Sequence, residues 1–146
     1  MHEVAEWIAT GATGLFAGAA LYITLVEHPA RLQCGTAMAF AQWAPSYKRA
    51  TVMQVSLGLA GSVSSFAAWF GGAATSWLVA GALLFSVIPF TVVVILPTNK
   101  QLQEPTRDKA SPETLALLTR WGNLHLVRVV LSLAAFFIMA GARRGA

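Results

Sequence analysis

Residues 120–131, RWGNLHLVRVVL, open a run that continues LAAFFIMAGA to residue 142. The run is long and apolar enough for lipid, yet it holds His125 and Arg128. What a membrane helix does with an imidazole and a guanidinium depends on the rest of the chain. Of its 146 residues, 56% are hydrophobic and 11% charged, against about a quarter charged in an ordinary soluble domain. Three further segments, 7–26, 50–70 and 77–96, carry no charge over the ~20 residues that cross a bilayer core. With 124–142 they make four spans, and these plus their connectors use up nearly the whole chain. The expected fold is all-α: an integral membrane four-helix bundle, one domain over residues 1–146.

The first span is preceded by MHEVAE, with two acids and no Lys or Arg. A signal peptide has a basic start, so this span is expected to stay in the protein. The single cysteine, Cys34, excludes an intrachain disulfide. The net charge of +4 sits in connectors and not in a patch interleaved with aromatics, which argues against nucleic acid. Arg31, Lys48 and Arg49 lie in the first connector, and Lys100, Arg107, Lys109 and Arg120 in the third; Arg143 and Arg144 alone lie on the other side. By the positive-inside bias, the first and third connectors face the cytoplasm and both termini face outward. The tryptophans agree with these boundaries, with Trp7, Trp69 and Trp77 at outer ends and Trp43 and Trp121 at inner ones, as an interfacial belt places them.

Prolines set the expected helix ends. Helix one should stop near Glu27, because the residue before Pro29 is pushed out of the α region. Pro97 should stop or kink helix three. The first connector contains TAMAFAQWA, too short to span and followed by Pro45, and is read as an interfacial helix between helices one and two. Ser111, Pro112 and Glu113 give a cap, a first-position proline and a first-turn acid for helix four. From there to residue 142 is roughly 45 Å of helix at ~1.5 Å per residue, so its first turns should protrude beyond the bilayer core. Two stripes of small residues, Gly11, Gly14 and Gly18 in helix one and Gly58, Gly61 and Ser65 in helix two, predict close helix packing.

The polar groups collect at one depth: Tyr22, Glu27 and His28 from helix one, Tyr47, Arg49 and Gln54 entering helix two, Thr98 and Asn99 leaving helix three, and Arg120, Asn123, His125 and Arg128 on helix four. Trp121, His125, Arg128 and Ser132 fall on one helix face, at spacings of four, three and four. An arginine at the centre of a lipid-exposed helix costs ~2.5–3.5 kcal/mol on insertion scales, so this face should turn inward. Arg128 can pair with Glu27 as a structural lock or serve function. His125 can be a structural histidine, a general base, or a metal ligand with His28 and Glu27; the inventory suits a two-histidine, one-carboxylate site, but no HxxxH or ExxH spacing supports it. No GxGxxG, P-loop, GxSxG or CxxC is present, which removes dinucleotide, nucleotide, hydrolase and thiol-redox motifs.

The pattern GLFAGAALYITLVEHP, then YKRATVMQ, PFTVVVILPTNKQL and LLTRWGNLHLVR resembles the family of small four-helix membrane proteins that includes the fungal anthrone oxygenases. The likeness covers essentially the whole chain, and its most specific parts are PTN closing helix three and RWxxLHxxR opening helix four. It implies oxidation of an anthrone-type aromatic to an anthraquinone with dioxygen and no recognised organic cofactor. The matching positions are Pro97, Thr98, Asn99, Trp121, His125 and Arg128. On chemical grounds His125 would be the base and Arg128 the oxyanion stabiliser. Asn99 or Arg120 would orient the substrate, and Trp121 or Tyr47 would stack on its rings, with Tyr22, Gln54 and Thr98 completing the lining. A flat apolar substrate would enter from the lipid. The competing class is non-catalytic: an accessory subunit, a lipid or quinone binder, or a transporter, although no matched halves with interrupted helices are visible. A transition metal and a homo-oligomer both stay open.

Overall fold

The computed structural model describes residues 2–144, apart from the side chain of Arg144, whose part in the charge pattern lies outside the description. It is an all-α four-helix bundle, with no strand among the described residues. Helix α1 covers Glu3–Gln33, α2 Thr36–Phe70, α3 Thr75–Leu102 and α4 Pro112–Arg144. All four are long and apolar enough to cross a membrane. Each packs on its neighbours in chain order, and α4 closes back on α1. The connectors are tight where glycine permits. Gly35 (φ +86°) and Gly72 (φ +99°) turn the chain in the left-handed region that side chains with a Cβ avoid. At the start of α4, Ser111 Oγ accepts from the Thr114 N–H at 3.2 Å, as the cap signal predicts.

Neither proline ends its helix. Helix α1 is α-helical to Tyr22, widens into a π-turn over Ile23–Glu27, and resumes as α-helix through His28–Gln33. The His28 N–H reaches back five residues to the Ile23 carbonyl, immediately ahead of Pro29. Helix α3 repeats the device: a π-turn spans Thr91–Ile95, and the Leu96 N–H reaches the Thr91 carbonyl immediately ahead of Pro97. A proline ring in a regular helix collides with the carbonyl four residues back. Widening the preceding turn moves that carbonyl aside, so both helices continue.

The expected interfacial helix does not form. Residues 36–49 are the first part of the 35-residue α2, with Pro45 inside it. Their apolar face has a better partner than a membrane surface, because Ala39 and Trp43, both 0% exposed, pack with Ile23, Ile95, Leu102, Leu118 and Trp121. Trp43, Trp121 and Trp77 are therefore core residues and not part of an interfacial belt; Trp7, 67% exposed, remains a surface residue. The α2 stripe of Gln54, Gly58, Gly61 and Ser65 is buried throughout. In α1 the packing face is Ala9, Ala12, Thr13, Phe16, Ala17 and Ala20. Gly14 meets Phe136, while Gly11 and Gly18 face open space.

The core divides in two. One apolar cluster, around Phe16, Trp77, Leu84 and Met139, fills the half of the bundle near the second connector. The other, around Trp43, Ile95, Leu118 and Trp121, fills the half near the first and third connectors. His28, Arg31, Thr98, Asn99, Thr114 and His125 are buried toward this second half, whereas Glu6, Thr13, Ser62 and Ser65 are buried in the first.

Candidate functional site

Trp121 is the centre of the site. Its ring is packed by His28 (centroids 5.1 Å apart), Trp43 (6.1 Å, edge-on) and His125 (5.0 Å, stacked), and the Arg31 guanidinium lies 5.9 Å from its centroid. Such aromatic pairs are worth ~0.5–1.5 kcal/mol each beyond their buried area, so α1, α2 and α4 are locked together here. Tyr47 stacks on Trp43 at 5.1 Å with planes 8° apart.

His125 is 2% exposed, and its Nδ1 lies 3.1 Å from Thr24 Oγ1. The π-turn of α1 carries that threonine. Nε2 of His125 has no hydrogen-bond partner among the described residues, so it is the nitrogen free to act. His28 is occupied differently: its Nε2 is 3.0 Å from the Leu118 carbonyl. A carbonyl only accepts, so Nε2 carries the proton and donates, leaving Nδ1 buried and without a protein partner. Gly122 makes this possible, since a Cβ there would fall 2.6 Å from His28 Cδ2 and 2.7 Å from Nε2.

The pairing of Arg128 with Glu27 is not made. Glu27 accepts from Arg31 at 2.6 Å, Gln42 at 2.7 Å and Ser46 at 2.8 Å, which satisfies it within α1 and the start of α2. Arg128 instead donates through Nη2 to Gln54 Oε1 and lies over the Phe16 ring, 5.5 Å from its centroid. Because a guanidinium is donor-only, this contact fixes which end of the Gln54 amide is oxygen. It also leaves Arg128 without an acidic partner among the described residues.

Three cavities surround this cluster. One, of about 200 Å³, lies between α2 and α3. Phe16, Leu84, Val87 and Ile88 wall it, and Tyr47, Gln54 and Arg128 supply its polar end. Val55 and Val92, 45% and 55% exposed, flank it on the outer surface of the bundle. A second cavity, about 210 Å³, lies between the α1 π-turn and α4, lined by Thr24, His28, Trp121, Gly122 and His125 among others. A third, of about 20 Å³, is lined by Arg31, Tyr47, Gln54, Trp121, His125 and Arg128 among others. His125 does not line the large chamber. The small cavity lies between them, sharing Tyr47, Gln54 and Arg128 with the chamber.

The structure thus brings together His125, Arg128, Gln54, Tyr47 and Trp121, with His28 against Trp121, but not Thr98, Asn99, Tyr22 or Arg120. Thr98 and Asn99 are each 1% exposed, with Asn99 on the face of α3 that carries Ile95 and Leu102; they line none of these three cavities. The Asn99 amide has no protein partner at either atom. Tyr22 is 57% exposed and Arg120 is also exposed, so both point away from the cluster. Glu27, His28 and His125 do not converge as metal ligands, because Glu27 and His28 are committed elsewhere; no group of three His, Cys, Asp or Glu placed to hold a metal occurs among the described residues. Sequence reasoning missed Thr24, Arg31 and Gly122. Arg31 counted only as a topological charge, yet it is 6% exposed; its spacing of three from His28 and the four from Thr24 to His28 were the available signal.

Residues 43–138 match the family model described as anthrone oxygenase. The matched segment contains Trp43, Tyr47, Gln54, Trp121, His125 and Arg128, and stops short of α1. No curated protein and no solved structure matches the chain.

Proposed function

We propose that this chain, which belongs to the anthrone oxygenase family, is a membrane oxygenase that oxidises a lipophilic aromatic of the anthrone or hydroquinone type with dioxygen. The observation that carries the reading is the placement of an unpartnered imidazole nitrogen and an acid-free guanidinium around one small cavity, beside an apolar chamber. An anthrone methylene is acidic, because its carbanion is a phenolate-like enolate. For His125 to accept its proton at Nε2, Nδ1–H donates to Thr24 Oγ1, and the proton crosses the small cavity through one intervening water, within the reach expected of a general base. Arg128, held by Gln54 at the polar end of the chamber, stabilises the developing oxyanion.

The enolate then transfers an electron to dioxygen, and the two radicals combine to form a C–O bond. His125 returns its proton to the peroxide oxygen. Loss of the second C–H proton breaks the O–O bond, leaving a carbonyl and, after protonation, water. One carbon loses four electrons, and dioxygen takes all four. The chemistry calls for no organic cofactor. Substrate enters from the lipid between α2 and α3, and the first and third connectors face the cytoplasm with both termini outside.

The test is dioxygen uptake by purified protein with added anthrones or hydroquinones, alongside metal analysis of the same preparation. One dioxygen consumed per quinone formed, by metal-free protein, is the expected result. Saturable binding without turnover would place the protein in the binding or transport class. A stoichiometric transition metal would displace the cofactor-free mechanism.

A further inference from the structure

The cavity of about 20 Å³ between His125 and the large chamber is just above the ~10–15 Å³ that admits one water. Three of its lining side chains carry a buried N–H with no partner in the protein: Arg31 Nε, Gln54 Nε2 and Arg128 Nε. No carboxylate lines it. Glu27 balances the charge of Arg31, but nothing among the described residues balances that of Arg128. Arg128 is only partly buried, but its Nε is fully so, and a charge drawn out of water is ordinarily paired. A water accepts at most two hydrogen bonds and must place two of its own, whereas an anion takes three donors and supplies the missing charge.

From this we propose that the small cavity is a binding site for a small monoanion, held by Arg31, Gln54 and Arg128. Resting on the functional reading above, its occupant in turnover is hydroxide. His125 Nε2 takes a proton from the cavity water, giving imidazolium and hydroxide. Hydroxide takes the C–H proton from the substrate in the chamber, giving the carbanion and restoring the water. A halide from the medium competes for the same three donors.

Bromide is the probe, since it quenches tryptophan emission and Trp121 lines the cavity. In detergent-purified protein, bromide should give a saturable quench above the linear collisional background. Arg128→Gln should weaken it about tenfold or more, the scale of a charge-assisted hydrogen bond, and Arg128→Lys should retain part of it. Gln54→Leu, checked for helical content like the others, provides an independent variant if Arg128→Gln does not fold. Bromide should lower kcat for the aromatic substrate and leave its KM unchanged, because it blocks the relay and not the chamber.

A linear quench identical in wild type and variants would mean that the cavity holds only water, overturning the proposal while leaving dioxygen uptake intact. A saturable, Arg128-dependent quench with unaltered kcat would make the site a resident halide site and overturn the hydroxide assignment. The same quench in a protein that consumes no dioxygen would uphold the anion site and sink the oxygenase reading instead.

Discussion

His28 shows how a single glycine shapes this site. Its ring is held by the Leu118 carbonyl at one nitrogen and by Trp121 across its face, so it is not a loose side-chain end that can swing aside. Gly122→Ala would put a methyl 2.6 Å from it. Overpacking of this kind costs ~1–3 kcal/mol. We expect Gly122→Ala to lower thermal stability in detergent, and His28→Ala to relieve much of that loss when the two are combined, a coupling of at least ~0.5 kcal/mol in a double-mutant cycle. Simple additivity would show that His28 is not what the methyl meets. His125, Arg128 and Trp121 were legible in the sequence because they share one helix face and are costly in lipid. Thr24 and Arg31 share a helical spacing with His28, but that spacing does not say which contacts with α4 they make, and Gly122 carries no local signal of its contact with His28.

At the scale of elements, three spans followed from uninterrupted apolar length and the fourth from a run broken only by His125 and Arg128, a length that physics ties directly to bilayer thickness. Their ends did not follow. Proline is read as a stop because it costs a regular helix a hydrogen bond and clashes with the carbonyl four residues back, but the π-turns before Pro29 and Pro97 remove that conflict. They lengthen α1 to Gln33 and α3 to Leu102. The π-turn in α1 also aims Thr24 at His125, and the one in α3 places Thr91 in the large chamber; π-turns recur at functional sites. The proposed sidedness rests on the charges of the connectors. Cys34, exposed and the only cysteine, sits between α1 and α2. An impermeant maleimide should label it from the cytoplasmic side only, while a cysteine placed at Ala74 in a Cys34→Ser background should label only from outside. The reverse pattern would invert the proposed orientation.

For the whole molecule, two apolar clusters bracket a polar band that no single helix could hold in lipid. The bundle shelters it: α1 supplies Thr24 and Arg31, α2 Tyr47 and Gln54, α4 Trp121, His125 and Arg128, and α3 the outer wall of the chamber. The fold gathers these polar groups in one place; the central claim is that His125 moves the proton there. The direct measurement is the initial rate of anthrone-dependent dioxygen consumption for His125→Ala against wild type, in protein shown to be equally folded. The account predicts a kcat lower by about 10²–10⁴, the usual contribution of a general base, with KM little changed. A folded His125→Ala that oxidises anthrone at the wild-type kcat would contradict it.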